Sequence, residues 1–439
     1  MVSQSLPLNQ RPLYLQRLIG FQDQDLVKVV TGIRRCGKSS LLKLMAQHLR
    51  QEGVDESQII EMNFESMRYQ SMTAQDLYSY VMDLAPAGKR MYLFFDELQK
   101  VPDWQSAISS FRVDLDCDIY ITGSNAYLLS SEFATYLSGR YVEIKVYPLS
   151  FKEFLDFHDM AVDSYETPMG EKRYRVRMDD GRELSLEDAY ETYVFFGGLP
   201  GLVDAGFSQE KAFTMLDGIY STVVMRDILE RGRREGEKRV ADAQILRRIS
   251  YFLADNIGNV VSSRSMQNTL QDDGAIAAPK RLPAQTTVQT YMQALVDAFV
   301  FYEAKRYDIK GRDYLRTMGK YYMVDMGLRN FLLGYKMQDT GHILENIIYF
   351  ELLRRGYDVS IGKLKNLEID FVAHKVQDRL YVQVTQDMTN PETRERELRS
   401  LLAVPDAYPK MILTLGPTFG GNIEGVIVKN ALEWLLEET

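Results

Sequence analysis

Two cysteines in 439 residues, Cys36 and Cys117, are too few for a disulfide framework, and one of them sits inside a glycine-containing loop, which suits a reducing compartment. Long apolar runs are missing too. The longest, such as "MYLFFDEL" and "KMILTLG", fall far short of the roughly 20 residues that cross a bilayer. The N-terminus "MVSQSLPLNQRPLY" lacks a basic start followed by an apolar stretch and does not read as a secretory signal. A cytoplasmic protein with no membrane partner is expected. An excess of positive charge is also absent: the net charge of -9 argues against coating nucleic acid by bulk electrostatics, although local basic patches are compatible with it. Low-complexity segments are absent, and 45% hydrophobic with 26% charged residues is the balance of a folded chain. Length alone suggests roughly three domains at about 150 residues each.

What is present begins with "LVKVVTGIRRCGKSSLLKLMAQHLR". Leu26 to Val30 read as a buried strand, and the leucines after Ser40 recur at helical spacing. Between them, Gly32, Ile33, Arg34, Arg35, Cys36, Gly37, Lys38, Ser39 and Ser40 form a G-x-x-x-x-G-K-S loop in strand-to-helix context, the arrangement that cradles nucleotide phosphates. Gly32 and Gly37 let the backbone close around an anion, so that successive N–H groups and the helix N-terminus meet it. Lys38 is expected on the β- and γ-phosphates of ATP, and the Ser39 hydroxyl on Mg²⁺. Arg34 and Arg35 either add charge near the phosphates or point to solvent. Cys36, beside the phosphates, should make nucleotide binding sensitive to thiol alkylation.

"RMYLFFDELQK" is a hydrophobic strand ending in Asp96 and Glu97. The first acid can hold Mg²⁺, as a metal position with Ser39, and the second can polarise an attacking water. About 25 residues on, "CDIYITGSNAYLL" is another buried strand, ending in Thr122, Ser124 and Asn125. A polar side chain there can hold the water or touch the γ-phosphate; Asn125 is the first choice and Ser124 the next.

The order "GIRRCGKSS", "YLFFDELQKV", "ITGSNAYLLSSEFATYLSGRYVEIKVYPLSFKEF" and "FFGGLP" resembles the prokaryotic AAA+ superfamily ATPases of unknown cellular role, in which an AAA+ core is joined to a C-terminal domain of unknown function. The resemblance runs over nearly the whole chain. It implies an arginine finger at Arg140, reaching the ATP of a neighbouring copy in a homo-oligomer. It also implies a small helical lid after Pro148, bounded by the Gly-Gly-Leu-Pro turn. Inside that lid, "RYRVRMDDGRELSL" alternates around an Asp-Gly turn and reads as an inserted hairpin. Arg226 is a candidate second phosphate sensor.

"AQILRRISYFLADNIG", "SSRSMQNTL" and "AQTTVQTYMQALVDAF" are three helical patterns followed by two β-rich runs around a glycine turn, the order of a winged helix-turn-helix. Thr286 and Thr287 start the recognition helix, with Val288, Tyr291 and Leu295 facing inward. Lys280, Arg281, Lys305, Arg306, Lys310, Arg312, Arg316 and Lys320 are the expected phosphate contacts to duplex DNA. A protein-binding winged helix, with an unknown protein client, is the alternative.

The last quarter, with a long helix containing Glu345, "LEIDFVAH" with Asp370, and "RLYVQVT" with Gln383 and Thr385, resembles the PD-(D/E)XK restriction-endonuclease fold. The resemblance implies a degenerate nuclease site at Glu345, Asp370, Gln383 and Thr385, because Gln383 and Thr385 stand where glutamate and lysine are expected. Lys363 and Lys365 are the nearest substitutes.

The expected protein is α/β. A P-loop AAA+ core with a parallel sheet flanked by helices (1–147) precedes a helical lid with a β-hairpin insertion (148–239). A winged helix-turn-helix (240–338) and a C-terminal α/β restriction-endonuclease-like domain (339–439) follow. Its expected function is Mg²⁺-dependent ATP hydrolysis that gates or drives the C-terminal platform. An ATP-regulated DNA nuclease and a STAND-like nucleotide-dependent switch are the alternatives.

Overall fold

The structure is a computed structural model. It describes every residue other than 1–9, 87, 130–136, 138, 169–171, 230–239, 241, 273–284, 312, 315–317, 336–339 and 438–439. Two compact units divide the chain, Met1–Tyr147 and Pro148–Thr439.

The first unit is built on five strands, β1 (Val27–Thr31), β2 (Ile59–Asn63), β3 (Met91–Asp96), β4 (Cys117–Gly123) and β5 (Tyr141–Lys145). They pair in parallel in the order β2-β3-β4-β1-β5. Parallel strands are covered on both faces and therefore read as nearly unbroken apolar runs. Accordingly every residue of β1 and β3 is buried. Among the described residues its α-helices are α1 (Pro12–Gly20), α2 (Lys38–Gln51), α3 (Ala74–Leu84) and α4 (Trp104–Asp114). The core gathers Val29, Leu93, Phe95 and Ile121 of the sheet with Leu77 and Val81 of α3 and Ile108 and Phe111 of α4. A capping box, in which Thr73 and Asp76 bond each other's backbone N–H, starts α3.

The second unit opens with a helix at Phe151–Phe157, capped by Ser150 and Glu153. The expected hairpin is present as β7 (Lys172–Arg177) and β8 (Glu183–Ser185), and it has a third member, β6 (Ala161–Glu166), paired on the other side of β7. Helices Leu186–Phe196 and Gln209–Tyr220 follow, and the latter runs into a π-helical stretch, Ser221–Leu229. The Arg226 side chain lies outside the described residues.

Three further helices span Ala243–Asp255, Ser263–Asp272 and Gln285–Asp297, the last with Val288, Tyr291 and Leu295 buried. Strands β9 (Val260–Val261), β10 (Phe301–Ala304) and β13 (Gly319–Met323) form a sheet in the order β10-β13-β9. The remaining strands are β11 (Arg306–Asp308), β12 (Asp313–Tyr314), β14 (Asp358–Leu364), β15 (Leu367–Lys375), β16 (Asp378–Thr385), β17 (Lys410–Thr414), β18 (Asn422–Ile423) and β19 (Val426–Asn430). They form an eight-stranded sheet in the order β12-β11-β14-β15-β16-β17-β19-β18.

One expectation is extended here. The two β-rich runs after the third helix, expected to close on each other as a wing, do pair antiparallel, β10 with β13 and β11 with β12. In addition β11 pairs in parallel with β14, Arg306 opposite Ile361, so the far part of that hairpin forms the edge of the C-terminal sheet. A strand edge with unpaired N–H and C=O groups gains more from a neighbouring sheet than from solvent, which explains the capture.

Candidate nucleotide site and a second charged cluster

The loop between β1 and α2 has the backbone its sequence requires. Gly32 has φ +145°, and a Cβ there would lie 2.2 Å from the Val146 carbonyl oxygen, so no side chain fits. Gly37, at φ +99°, is the residue from which α2 starts. Arg35 also lies in the left-handed region, at φ +65°. Lys38 is buried, and its Nζ donates to the carbonyls of Gly32 (2.8 Å) and Ile33 (3.0 Å). Arg34 is paired with Glu65 at 2.8 Å, while Arg35 is exposed. Cys36 is fully buried, which overturns the expectation that alkylation would probe the loop: the thiol is out of a reagent's reach.

Strand β4 lies between β1 and β3, so its C-terminal residues fall between the loop and the acid pair. Thr122 serves both acids. Its hydroxyl donates to Asp96 Oδ1 at 2.5 Å and accepts the Glu97 backbone N–H at 2.9 Å. Asn63, at the end of β2, donates to Asp96 Oδ2 at 2.7 Å. Burial pushes Asp96 above the ordinary carboxylate range, against hydrogen bonds from Thr122 and Ser39. Ser39 thus lies near enough to Asp96 to favour its charged form, and this hydroxyl–carboxylate pair fits a small hard cation that keeps several waters.

Glu97 has φ +56°, uncommon for a side-chain-bearing residue. Its carboxylate accepts Ser124 Oγ at 2.8 Å on both oxygens and Gln99 Nε2 at 2.5 Å. Asn125 is buried, and its carbonyl accepts the Leu128 N–H. Arg140 is exposed and directly precedes β5. Its carbonyl accepts the Val27 N–H at the start of β1, the opposite end of the strand from the loop, so the fold does not bring it to the loop of its own chain. Sequence reasoning missed Thr122, Gln99 and Asn63 as partners of the acids. A polar residue at a strand's C-terminal end was the available signal for Thr122 and Asn63.

The C-terminal cluster differs more from expectation. Lys320, read as a phosphate contact, is buried: its Nζ lies 3.0 Å from Glu345 Oε1 and 3.1 Å from Glu368 Oε1. It therefore cannot face a DNA backbone. Tyr322 also donates to Glu345 Oε1, at 2.6 Å. Asp370 accepts the Val384 N–H at 2.8 Å, and its own N–H goes to Gln383 Oε1 at 2.7 Å. Gln383 Nε2 donates to Glu397 at 2.6 Å, and Thr385 donates to the Asp387 carbonyl at 3.4 Å.

Burial and the nearby Glu345 charge push Asp370 up to about 8. Burial would also raise Glu345, but the neighbouring His342, 3.8 Å away, and the Lys320 charge outweigh it and hold Glu345 below its ordinary value. Lys320 is raised despite burial, by the carboxylates of Glu345, Asp370 and Glu368. Among the described residues no group of three or more His, Cys, Asp or Glu is arranged to hold a metal. Lys320 and Tyr322 share Glu345 Oε1, and the Val384 N–H holds Asp370 Oδ2, so one oxygen of each carboxylate is engaged. Lys305 and Lys310 are exposed, Lys280, Arg281, Arg312 and Arg316 lie outside the described residues, and Lys363 and Lys365 make no bond to the cluster.

Residues 24–155 match the family described as an AAA domain, and residues 187–339 match a domain of unknown function (DUF8612). Over 430 residues the chain is 41% identical to an uncharacterized protein of Haemophilus influenzae, covering 97% of this chain and 98% of that one. An uncharacterized protein of Methanocaldococcus jannaschii is 28% identical over 397 residues, 89% of this chain and 79% of that one. Among solved structures, the Walker-type ATPase of Pyrococcus abyssi is similar with a TM-score of 0.46 at 15% identity, over 74% of this chain and 95% of that one. The ORC2 protein of Aeropyrum pernix in its ADPNP-ADP complexes has a TM-score of 0.39 at 11% identity, over 80% and 97%. No described helix is long and apolar enough to cross a membrane.

Proposed function

The chain belongs to the same family as the Haemophilus influenzae protein, and from that premise we propose that it is a Mg²⁺-dependent ATPase whose AAA domain binds and hydrolyses ATP. The observation that carries the reading is the shared use of Thr122. One hydroxyl orients both Asp96 and the backbone of Glu97 beside the phosphate loop. The loop N–H groups and Lys38 hold the phosphates, with Lys38 leaving the carbonyls of Gly32 and Ile33 to do so. Ser39 and Asp96 would hold Mg²⁺, which would supply charge neutralisation on the phosphates. Glu97 takes the proton of the attacking water, and Ser124 and Gln99 fix the direction of its carboxylate.

Arg140, exposed at the far end of the strands, acts on the ATP of a neighbouring copy. The second unit is a binding or assembly platform whose C-terminal part has the nuclease-like order of elements without the chemistry. The Lys320 ammonium held between Glu345 and Glu368, and the Gln383 and Thr385 side chains where glutamate and lysine are expected, support that reading over an ATP-regulated nuclease.

The test is phosphate release with Mg²⁺ and ATP. Lys38→Ala is expected to lose ATP binding. Glu97→Gln is expected to keep binding while turnover falls by about 10² or more, in the range of a lost general base. Unchanged turnover in Glu97→Gln would sink the assignment, and cleavage of plasmid DNA abolished by Asp370→Ala would restore the nuclease reading.

A further inference from the structure

Arg11 lies upstream of the segment matched as an AAA domain, at the residue before α1, yet its side chain reaches the phosphate loop. It is 4% exposed, and one guanidinium nitrogen, Nη1, donates to two backbone carbonyls, Cys36 at 3.0 Å and Tyr147 at 2.9 Å. The guanidinium stacks 4.4 Å from the ring centre of Tyr14, whose hydroxyl in turn accepts the Tyr147 N–H at 3.2 Å. Tyr14 is itself fully buried.

A loop that turns successive N–H groups inward to an anion must turn carbonyls outward, and an outward carbonyl that is buried needs a donor. Cys36 presents such a carbonyl, and Arg11 is its donor. The residue before it, Arg35, is held at φ +65°, a conformation that a residue with a side chain adopts only when its surroundings over-determine it. The hydrogen bond from Arg11 lands on the next carbonyl along, where it can hold that turn.

We propose that Arg11 is a positioning residue for the nucleotide: by gripping the Cys36 carbonyl it keeps Arg35 left-handed and the loop N–H groups convergent on phosphate. The proposal rests on the nucleotide-binding reading above. It assigns to the N-terminal segment a part in the site that the loop motif alone does not contain.

The experiment is equilibrium binding of ATP with Mg²⁺ to the full chain and to Arg11→Ala, each with Arg35 and with Arg35→Gly, beside thermal melting without nucleotide. Arg11→Ala is expected to weaken ATP binding by about 10- to 100-fold, the range for a lost hydrogen bond from a charged donor. In the Arg35→Gly background the loss is expected to shrink several-fold, because glycine takes positive φ without restraint. A side chain that only supported the fold would lower melting and weaken binding equally in both backgrounds, and that result overturns the proposal. So does unchanged affinity in Arg11→Ala. If Arg11→Ala does not fold, Arg11→Lys, which keeps the charge but lacks the planar donor, carries the same comparison. Absence of ATP binding by the unaltered chain would overturn both readings; binding by the unaltered chain that Lys38→Ala abolishes and Arg11→Ala leaves intact overturns the role of Arg11 alone.

Discussion

Thr122 is the residue on which the two acids of the first unit converge, and substitution by valine isolates its hydroxyl because the shape and the strand preference are kept. Thr122→Val should lower turnover by about 10- to 100-fold, the effect of losing a hydrogen bond to a charged group, and cost about 1–3 kcal/mol of stability, because Asp96 and the Glu97 N–H lose a buried partner; phosphate release and a thermal scan check this pair of outcomes. Asp370 offers a second test at this scale, through pH. Its carboxyl is pushed up to about 8 in the folded chain from an ordinary value of 3.8, so the folded state holds a proton that the unfolded state has released between those values. The stabilisation linked to it is complete below about pH 4 and is lost as pH rises through about 8. Asp370→Asn, which can still accept the Val384 N–H, should therefore show a flatter fall in urea stability from pH 5 to 8 than the unaltered chain. Parallel pH profiles would mean that Asp370 is ionised throughout.

Among elements, the Gly-Gly-Leu-Pro turn shows why short motifs are written as they are. Gly198 donates its N–H to Asp325 Oδ2 at 2.6 Å, and Asp325 Oδ1 accepts the Leu328 N–H at 2.9 Å at the start of the helix Met326–Leu333. A Cβ on Gly327 would lie 2.0 Å from the Phe196 carbonyl oxygen, and one on Gly198 would lie 2.5 Å from that of Leu149. Asn330, on the same helix, donates to the carbonyls of Val194 and Phe195, and Arg329 to that of Ala254, so this helix ties down the ends of two others. Gly327→Ala should destabilise the second unit by about 2–4 kcal/mol, the upper range for forced backbone movement, measured by denaturant unfolding. Its neighbour Gly334, with open space around its Cβ, is a control for composition though not for its φ of +75°.

How much of this was legible follows from how far each signal reaches. The loop at 32–40, the strand ending in Asp96 and the inserted hairpin are local patterns, and each stood in the sequence as an element. Pairing between remote segments did not: nothing near Arg306 says that it will lie opposite Ile361, and nothing near Lys320 says that its partners are 25 and 48 residues away at Glu345 and Glu368. A lysine among basic neighbours reads as surface charge until a fold folds carboxylates over it.

At the scale of the whole molecule, the proposed ATP site draws its described residues from the first unit, and the arginine finger is proposed to come from a neighbouring copy. Turnover per chain should then rise with protein concentration in step with mass measured by light scattering, and Arg140→Ala should bind ATP normally while losing that rise. Concentration-independent turnover would remove Arg140 from the mechanism. The proposed function also makes the two units answer differently to divalent ions. In the second, the Lys320 ammonium sits among Glu345 and Glu368 as a covalently attached counterion. Its local concentration never varies, and no chelator can take it away. EDTA should therefore stop ATP turnover and leave the melting of the second unit where it was, a molecule half of which answers to the supply of magnesium while the other half is indifferent to it.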